Sequence, residues 1–193
     1  MKRLAIYLIS NVGSLVTANK LQQTLNMKST ATILDYFSFL EDTYLVSFLP
    51  KFSYSMKKQM INPRKIYVID TGMIKVASTS FSKDEEHKLE NLVYWELRRK
   101  GKEVYYFNEN GCECDFILMK NNKVEQIVQV CYELTPENTT REQRGLHEAM
   151  KFFNTDKGII ITNNQSDTYI FNGQQINVKP AYQYFCDYPQ NEL

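Results

Sequence analysis

Histidine is nearly missing from this chain of 193 residues: His87 and His147 are the two it has. With so few, Ser–His and Cys–His catalytic pairs have almost no candidates. The sequence also lacks a P-loop and a glycine-rich dinucleotide turn, which removes the common nucleotide-binding chemistries. No apolar run reaches the roughly 18 residues that a transmembrane helix needs. The opening "MKRLAIYLISNVGS" is basic and then apolar, but no small-residue cleavage site follows, so it reads as a helix of a cytoplasmic protein. Net charge is only +1, which gives no global pull toward nucleic acid or membrane and leaves any such preference to a local patch. The four cysteines, Cys112, Cys114, Cys131 and Cys186, follow no zinc-ribbon or finger spacing. On a strand, Cys112 and Cys114 point to one face and are badly placed to bridge each other. Reduced, partly buried thiols are the expectation.

Aromatic residues are plentiful, with 13 Tyr and 11 Phe, and 23% of residues are charged. This is the composition of a globular protein with well-filled cores, large enough for one domain or two. Leu4, Tyr7 and Leu8 mark a helix over 2–12, and Thr17 caps a second, "ANKLQQTLN". Ser29 or Thr30 caps a third, whose Ile33, Phe37, Leu40 and Tyr44 fall at helical spacing. A strand, a basic turn region and a second strand ending at Asp70-Thr71-Gly72 follow, so residues 1–77 are expected to form a winged helix-turn-helix. The "DTG" triplet is also found in aspartic proteases, but a turn at the end of a wing strand accounts for it.

Residues 78–88, "STSFSKDEEHK", read as a polar linker merging into a helix with Leu89, Val93 and Leu97 at four-residue steps and Gly101 as its cap. Three strands joined by "NENG" and "KNNK" form a meander; an amphipathic helix, a buried strand and an edge strand close the chain. The expected fold is thus α+β in the first part and α/β in the second, with an αβββαβ domain over 78–193.

Two chemistries are written into this layout. In a helix-turn-helix the start of the second core helix enters the major groove, and here it carries Lys28, Ser29, Thr30 and Thr32. Segment 51–65 adds Lys51, Lys57, Lys58, Arg64 and Lys65 without one acid, interleaved with Phe52 and Tyr54, a set suited to the phosphates of double-stranded DNA. The competing expectation is a protein-docking surface, since Asp35, Glu41 and Asp42 lie further along the same helix.

The helix and meander of the second part match a restriction-endonuclease-like core. Hydrolysis there needs Mg²⁺ held by acids on the second and third strands, with a lysine two residues beyond the third-strand acid. The corresponding positions are Glu90, Asp115, Gln129 and Cys131. Glu90 and Asp115 remain as metal ligands, whereas Gln129 loses a charge and the Cys131 thiol cannot replace an ammonium. Glu113 and Glu133 are alternative acids, and Lys120 or Lys123 alternative cations from the hairpin turn.

"YLISNVGSLVTANKLQQTLN", "TILDYFSFLEDTYLV", "RKIYVIDTGM", "LENLVYWELRRKGKEVYYF", "CECDFIL" and "QVCYEL" occur in order along nearly the whole chain. In these the chain resembles the C-terminal part of a family of prokaryotic AAA-type ATPases, a winged helix followed by a restriction-endonuclease-like domain of unknown function. The resemblance implies that the ATPase domain is a partner in the full-length protein and that ATP is not bound by these residues. It also implies a nuclease-like site of degraded type, because Gln129 and Cys131 depart from the acid-x-lysine signature.

Overall fold

The computed structural model describes residues 1–77 and 81–187. It is a mixed α+β protein with two sheets, and it divides into two compact units, Met1–Leu92 and Val93–Leu193. Among the described residues no helix is long and apolar enough to cross a membrane.

In the first unit α1 (Lys2–Ile9) buries Leu4 and Leu8. It stops short of residue 12, where Ser10 Oγ and Asn11 Nδ2 turn back to donate to the carbonyls of Ile6 and Tyr7. Next come the two-residue strand β1 (Leu15–Val16) and helix α2 (Ala18–Thr24), capped by Thr17 Oγ1 at 3.2 Å from the Lys20 amide. Ser29 caps α3 (Thr30–Asp42), which buries Ile33, Phe37 and Leu40 as its periodicity requires. Tyr44, expected to extend that stripe, is instead 73% exposed with φ +58°, because the helix has already ended at Thr43. Strands β2 (Val46–Pro50) and β3 (Arg64–Val68) are antiparallel, and β1 adds to β3 in the order β1-β3-β2. Besides β1, two helices escaped the sequence reading. The basic turn holds a helix, α4 (Met56–Ile61), and the "DTG" turn opens another, α5 (Thr71–Ala77), with Asp70 Oδ1 accepting from the Gly72 amide at 2.7 Å.

Helix α6 (Phe81–Arg99) replaces most of the expected linker; of that linker, residues 78–80 lie outside the described residues. Within the first unit, Asn91 completes the β3 ladder. Its side chain accepts from the Val68 amide and donates to the Val68 carbonyl, both at 2.9 Å, so a side chain stands in for a neighbouring strand.

The second unit carries the six-stranded sheet, ordered β4-β5-β6-β7-β9-β8. Strands β4 (Glu103–Glu109), β5 (Cys112–Lys120) and β6 (Lys123–Val130) form the antiparallel meander. Its tight turns, Asn110-Gly111 and Asn121-Asn122, take positive φ at both central positions, as two-residue hairpins prefer. Helix α7 (Thr139–Phe153) crosses over, packing on β5 and β6, and delivers β7 (Lys157–Thr162) parallel to β6. The closing stretch is richer than the expected edge strand: β8 (Asp167–Phe171), β9 (Gln174–Pro180) parallel to β7, and α8 (Ala181–Asp187). All four cysteines are free thiols; Cys112, Cys114 and Cys131 are buried and Cys186 is exposed.

Candidate functional site

Strands β5 and β6 are paired as far as Phe116 and Val128, and beyond that point side chains take over the ladder. Asp115 and Gln129 exchange bonds with the opposite backbones. The Asp115 amide donates to Gln129 Oε1 at 3.2 Å, and Asp115 Oδ2 accepts from the Val130 amide at 2.9 Å. On its other end Gln129 donates through Nε2 to Glu142 Oε2 of α7, at 2.7 Å. Glu142 Oε1 accepts from Nε and Nη2 of Arg141 at 2.9 and 2.6 Å. Asp115, Gln129 and Glu142 are all buried. Glu142 is held above the ordinary carboxylate range, chiefly by burial, with the Asp115 charge adding to the effect. Its bonds from Arg141 and Gln129 pull the other way.

Glu142 is the member that the sequence reading missed. It lies four residues before Leu146 and seven before Ala149, on the stripe that α7 buries. An acid on the face that α7 buries, beside Gln143 and ahead of Leu146, Ala149 and Met150, was the signal available.

These residues do not fit Mg²⁺. A hard dication needs several oxygen ligands free to turn toward it. Here an amide N–H and a guanidinium face Glu142, the oxygen of Gln129 is bonded to a backbone N–H, and Asp115 accepts another. The strand expected to carry Cys131 and Glu133 ends at Val130. Cys131 Sγ donates to the Glu133 carbonyl at 3.2 Å, and Glu133 is exposed. Lys120 and Lys123 pair across the far end of the β5–β6 hairpin, five or more residues from Asp115 and Gln129, or roughly 16–20 Å along a strand. Neither can serve as a migrated lysine. Glu113 accepts from Asn108 Nδ2 at 3.2 Å, on strand β4.

Glu90 belongs to the first unit, where its Oε1 meets Lys65 Nζ at 3.1 Å and accepts from the Tyr67 hydroxyl at 2.7 Å. Lys65 is therefore 2% exposed and lies off the basic surface on which the sequence reading had placed it. Gly13, at φ +76°, leaves the room this cluster needs: a Cβ there would come within 3.0 Å of Glu90 Oε2. Of the other basic-patch residues, Lys28 is exposed ahead of α3, Ser29 is spent as the cap, and Thr30 and Thr32 are half-buried. Lys57 and Lys58 stand exposed on α4, and Lys51 and Arg64 are half-buried.

Residues 1–84 match a family described as a domain of unknown function, DUF8612. An uncharacterized protein of Methanocaldococcus jannaschii is 37% identical over 161 residues, 81% of this chain and 35% of the relative. An uncharacterized protein of Haemophilus influenzae is 30% identical over 151 residues, 76% of this chain and 37% of the relative. The chain spans little more than a third of the length of these curated relatives.

Proposed function

We propose that this chain is a non-catalytic binding module, working with an AAA-type ATPase, in which a winged helix precedes a restriction-endonuclease-like fold that has exchanged its cleavage machinery for internal hydrogen bonds. The order α2, α3, β2, β3, with β1 completing a three-stranded sheet, supports the winged helix. Helix α6, the β4–β5–β6 meander and the α7 crossover support the nuclease-like core. The observation that carries the loss of catalysis is the Gln129 bridge, because its amide occupies the third-strand position and binds Glu142 and the Asp115 backbone instead of offering a charged ligand to metal. Incubating the protein with plasmid DNA and Mg²⁺ or Mn²⁺ tests it. No cutting is expected, and metal-dependent nicking abolished by Asp115→Ala would overturn the reading.

The chemistry of the first unit favours a protein as the bound partner. Beyond its first turn α3 exposes Leu34, Asp35, Ser38, Phe39 and Asp42, a surface of apolar and acidic groups that phosphates would repel. A second reading, contact with duplex DNA, is favoured by exposed Lys28, Lys57 and Lys58. It requires an affinity that falls steeply with salt, as the release of counterions dictates. Anisotropy of a labelled duplex between 50 and 200 mM salt (about 10³-fold weakening for six phosphate contacts) separates the two. The ATPase association rests on the sequence resemblance, and a P-loop ATPase encoded in the same reading frame would test it.

A further inference from the structure

Helix α4 buries none of its six residues. Met56, Met60 and Ile61 are 70–74% exposed, and Tyr54 just ahead of them is 83% exposed. A surface helix that folds only for its own sake has no reason to turn three large apolar side chains to water. Its conformation is set locally: Ser55 Oγ accepts from the Lys58 amide at 3.5 Å, and Gln59 Nε2 donates to the Ser53 carbonyl at 2.7 Å. Between α4 and the β2–β3 pair lies a groove of about 220 Å³, lined by Phe48, Pro50, Met56, Gln59, Met60 and Arg64. Its floor is apolar, with room for one or two side chains, and methionine walls adapt readily to what enters.

Charge decides the occupant. Segment 51–65 contains five cations and no acid. One of them, Lys65, is neutralised internally by Glu90. Lys57, Lys58 and Arg64 remain on or beside α4, and none takes part in an ion pair with another described residue. A duplex would satisfy those cations but leave Met56, Met60 and Ile61 against phosphates. A strand added to the edge of β2 is also disfavoured, because the Phe48 amide already donates to Glu41 Oε1 at 3.2 Å and Pro50 has no amide hydrogen to offer. What satisfies both chemistries at once is a segment with apolar side chains on one face and carboxylates on the other.

We propose that this groove docks an acidic amphipathic helical segment of a partner protein, seating an apolar side chain against Phe48, Met56 and Met60 and placing carboxylates toward Lys57, Lys58 and Arg64. The inference rests on the protein-partner reading above and names the chemistry of that partner. Recognition of this kind reads anchors at i, i+3, i+4 and i+7, so the arrangement of residues matters as well as their charge.

The test uses the whole chain and a fluorescein-labelled 20-residue peptide of Leu, Ala and Glu with leucine at those spacings. A scrambled isomer of identical composition and a labelled 20-base-pair duplex serve as the other probes. The helical peptide is expected to bind at least tenfold more tightly than its isomer. Met60→Ser and the double change Lys57→Glu/Lys58→Glu should each weaken it about tenfold without altering the thermal melt, since these side chains are exposed. A peptide with two glutamates changed to lysine should restore binding to the charge-reversed protein. Equal affinity for both peptides, or indifference to Met60→Ser, overturns the docking site. Duplex binding that is lost in the charge-reversed protein while the peptide fails to bind assigns the surface to nucleic acid instead. If no probe binds, the groove proposal falls alone; the non-catalytic reading is decided by the plasmid assay.

Discussion

Gln129 Nε2 donates to Glu142 Oε2 across 2.7 Å of buried space, so a neutral amide links the Glu142 carboxylate of α7 to the Asp115 backbone of β5. Gln129→Glu replaces that donor by a negative oxygen facing another. At pH 7 the cost is expected to be about 3 kcal/mol, as for an uncompensated buried charge. Millimolar Mg²⁺ or Mn²⁺ should recover part of it by linkage, because an added carboxylate provides the oxygens a dication lacks here. Gln129→Leu removes the same bonds without adding charge, and its melting temperature should ignore the cation. Melts of both variants with and without metal make the check; a cation response in the leucine variant would sink the explanation.

Lys65 and Glu90 make a contrasting prediction in the first unit. Their side chains are 2% and 9% exposed, and the pair is closed by the Tyr67 hydroxyl on the same Glu90 oxygen. Glu90→Ala strands an ammonium in the interior and should cost about 3–5 kcal/mol. Lys65→Met combined with Glu90→Leu removes both charges and should recover most of that loss, since apolar replacement of a buried pair is often neutral. Denaturant unfolding of the single and double variants measures the difference. A double variant as weak as Glu90→Ala would show that the pair holds the unit together by more than mutual compensation.

The parts of this fold that were legible in sequence are those set by neighbours a few residues apart. Ile33, Phe37 and Leu40 announced α3, and Asn110-Gly111 and Asn121-Asn122 announced hairpins, because spacing and positive-φ turns are local properties. Helix α4 was hidden since none of its residues is buried, leaving no stripe to detect. Strand β1 is two residues long and exists only because Leu15 and Val16 meet Lys65 and Arg64 some fifty positions away. At the candidate site Asp115 and Gln129 were identified from strand order, but Glu142 arrives from a separate helix. A short polar break at Glu142 and Gln143 in an amphipathic stripe is weak beside the strand pattern. The same nonlocality moved Lys65 from an expected surface patch to a buried pair, since nothing in segment 51–65 reveals that Glu90 lies beside it.

Glu142 gives a pH dependence whose sign is fixed by its environment. Burial first, and the Asp115 charge after it, raise its folded-state pKa above the ordinary value of 4.5. The folded protein therefore holds this proton more tightly than the unfolded chain does. Its contribution is most favourable at low pH and is lost as pH rises through the interval from 4.5 upward. Glu142→Gln removes the titration while keeping an oxygen for the Gln129 amide. The stability of the native protein relative to this variant should thus decline as pH rises above 4.5. Chemical denaturation of both across that range checks it, and a difference that is flat or grows with pH would contradict the assignment.

The close approach of α7 to β5 is what brings Glu142 within reach of Gln129, and Gly145 permits it. A Cβ at that position would lie 2.2 Å from the Glu113 carbonyl oxygen, a backbone atom that no rotamer change can move aside. Gly145→Ala must therefore lift the helix from the strand, against the slight gain in helix propensity that alanine brings. The overpacking should cost at least about 1–3 kcal/mol, lowering the melting temperature by roughly 4–8 °C per kcal/mol in a unit of this size. Lifting α7 also stretches the Gln129–Glu142 bond, which frees Gln129 from its hold on the Asp115 amide. Hydrogen exchange at Asp115 should accelerate in Gly145→Ala more than at Ile117, whose ladder with Ile127 does not depend on α7. Uniform acceleration across β5 would mean that the substitution only destabilises the sheet, and that the site is not positioned through Gly145.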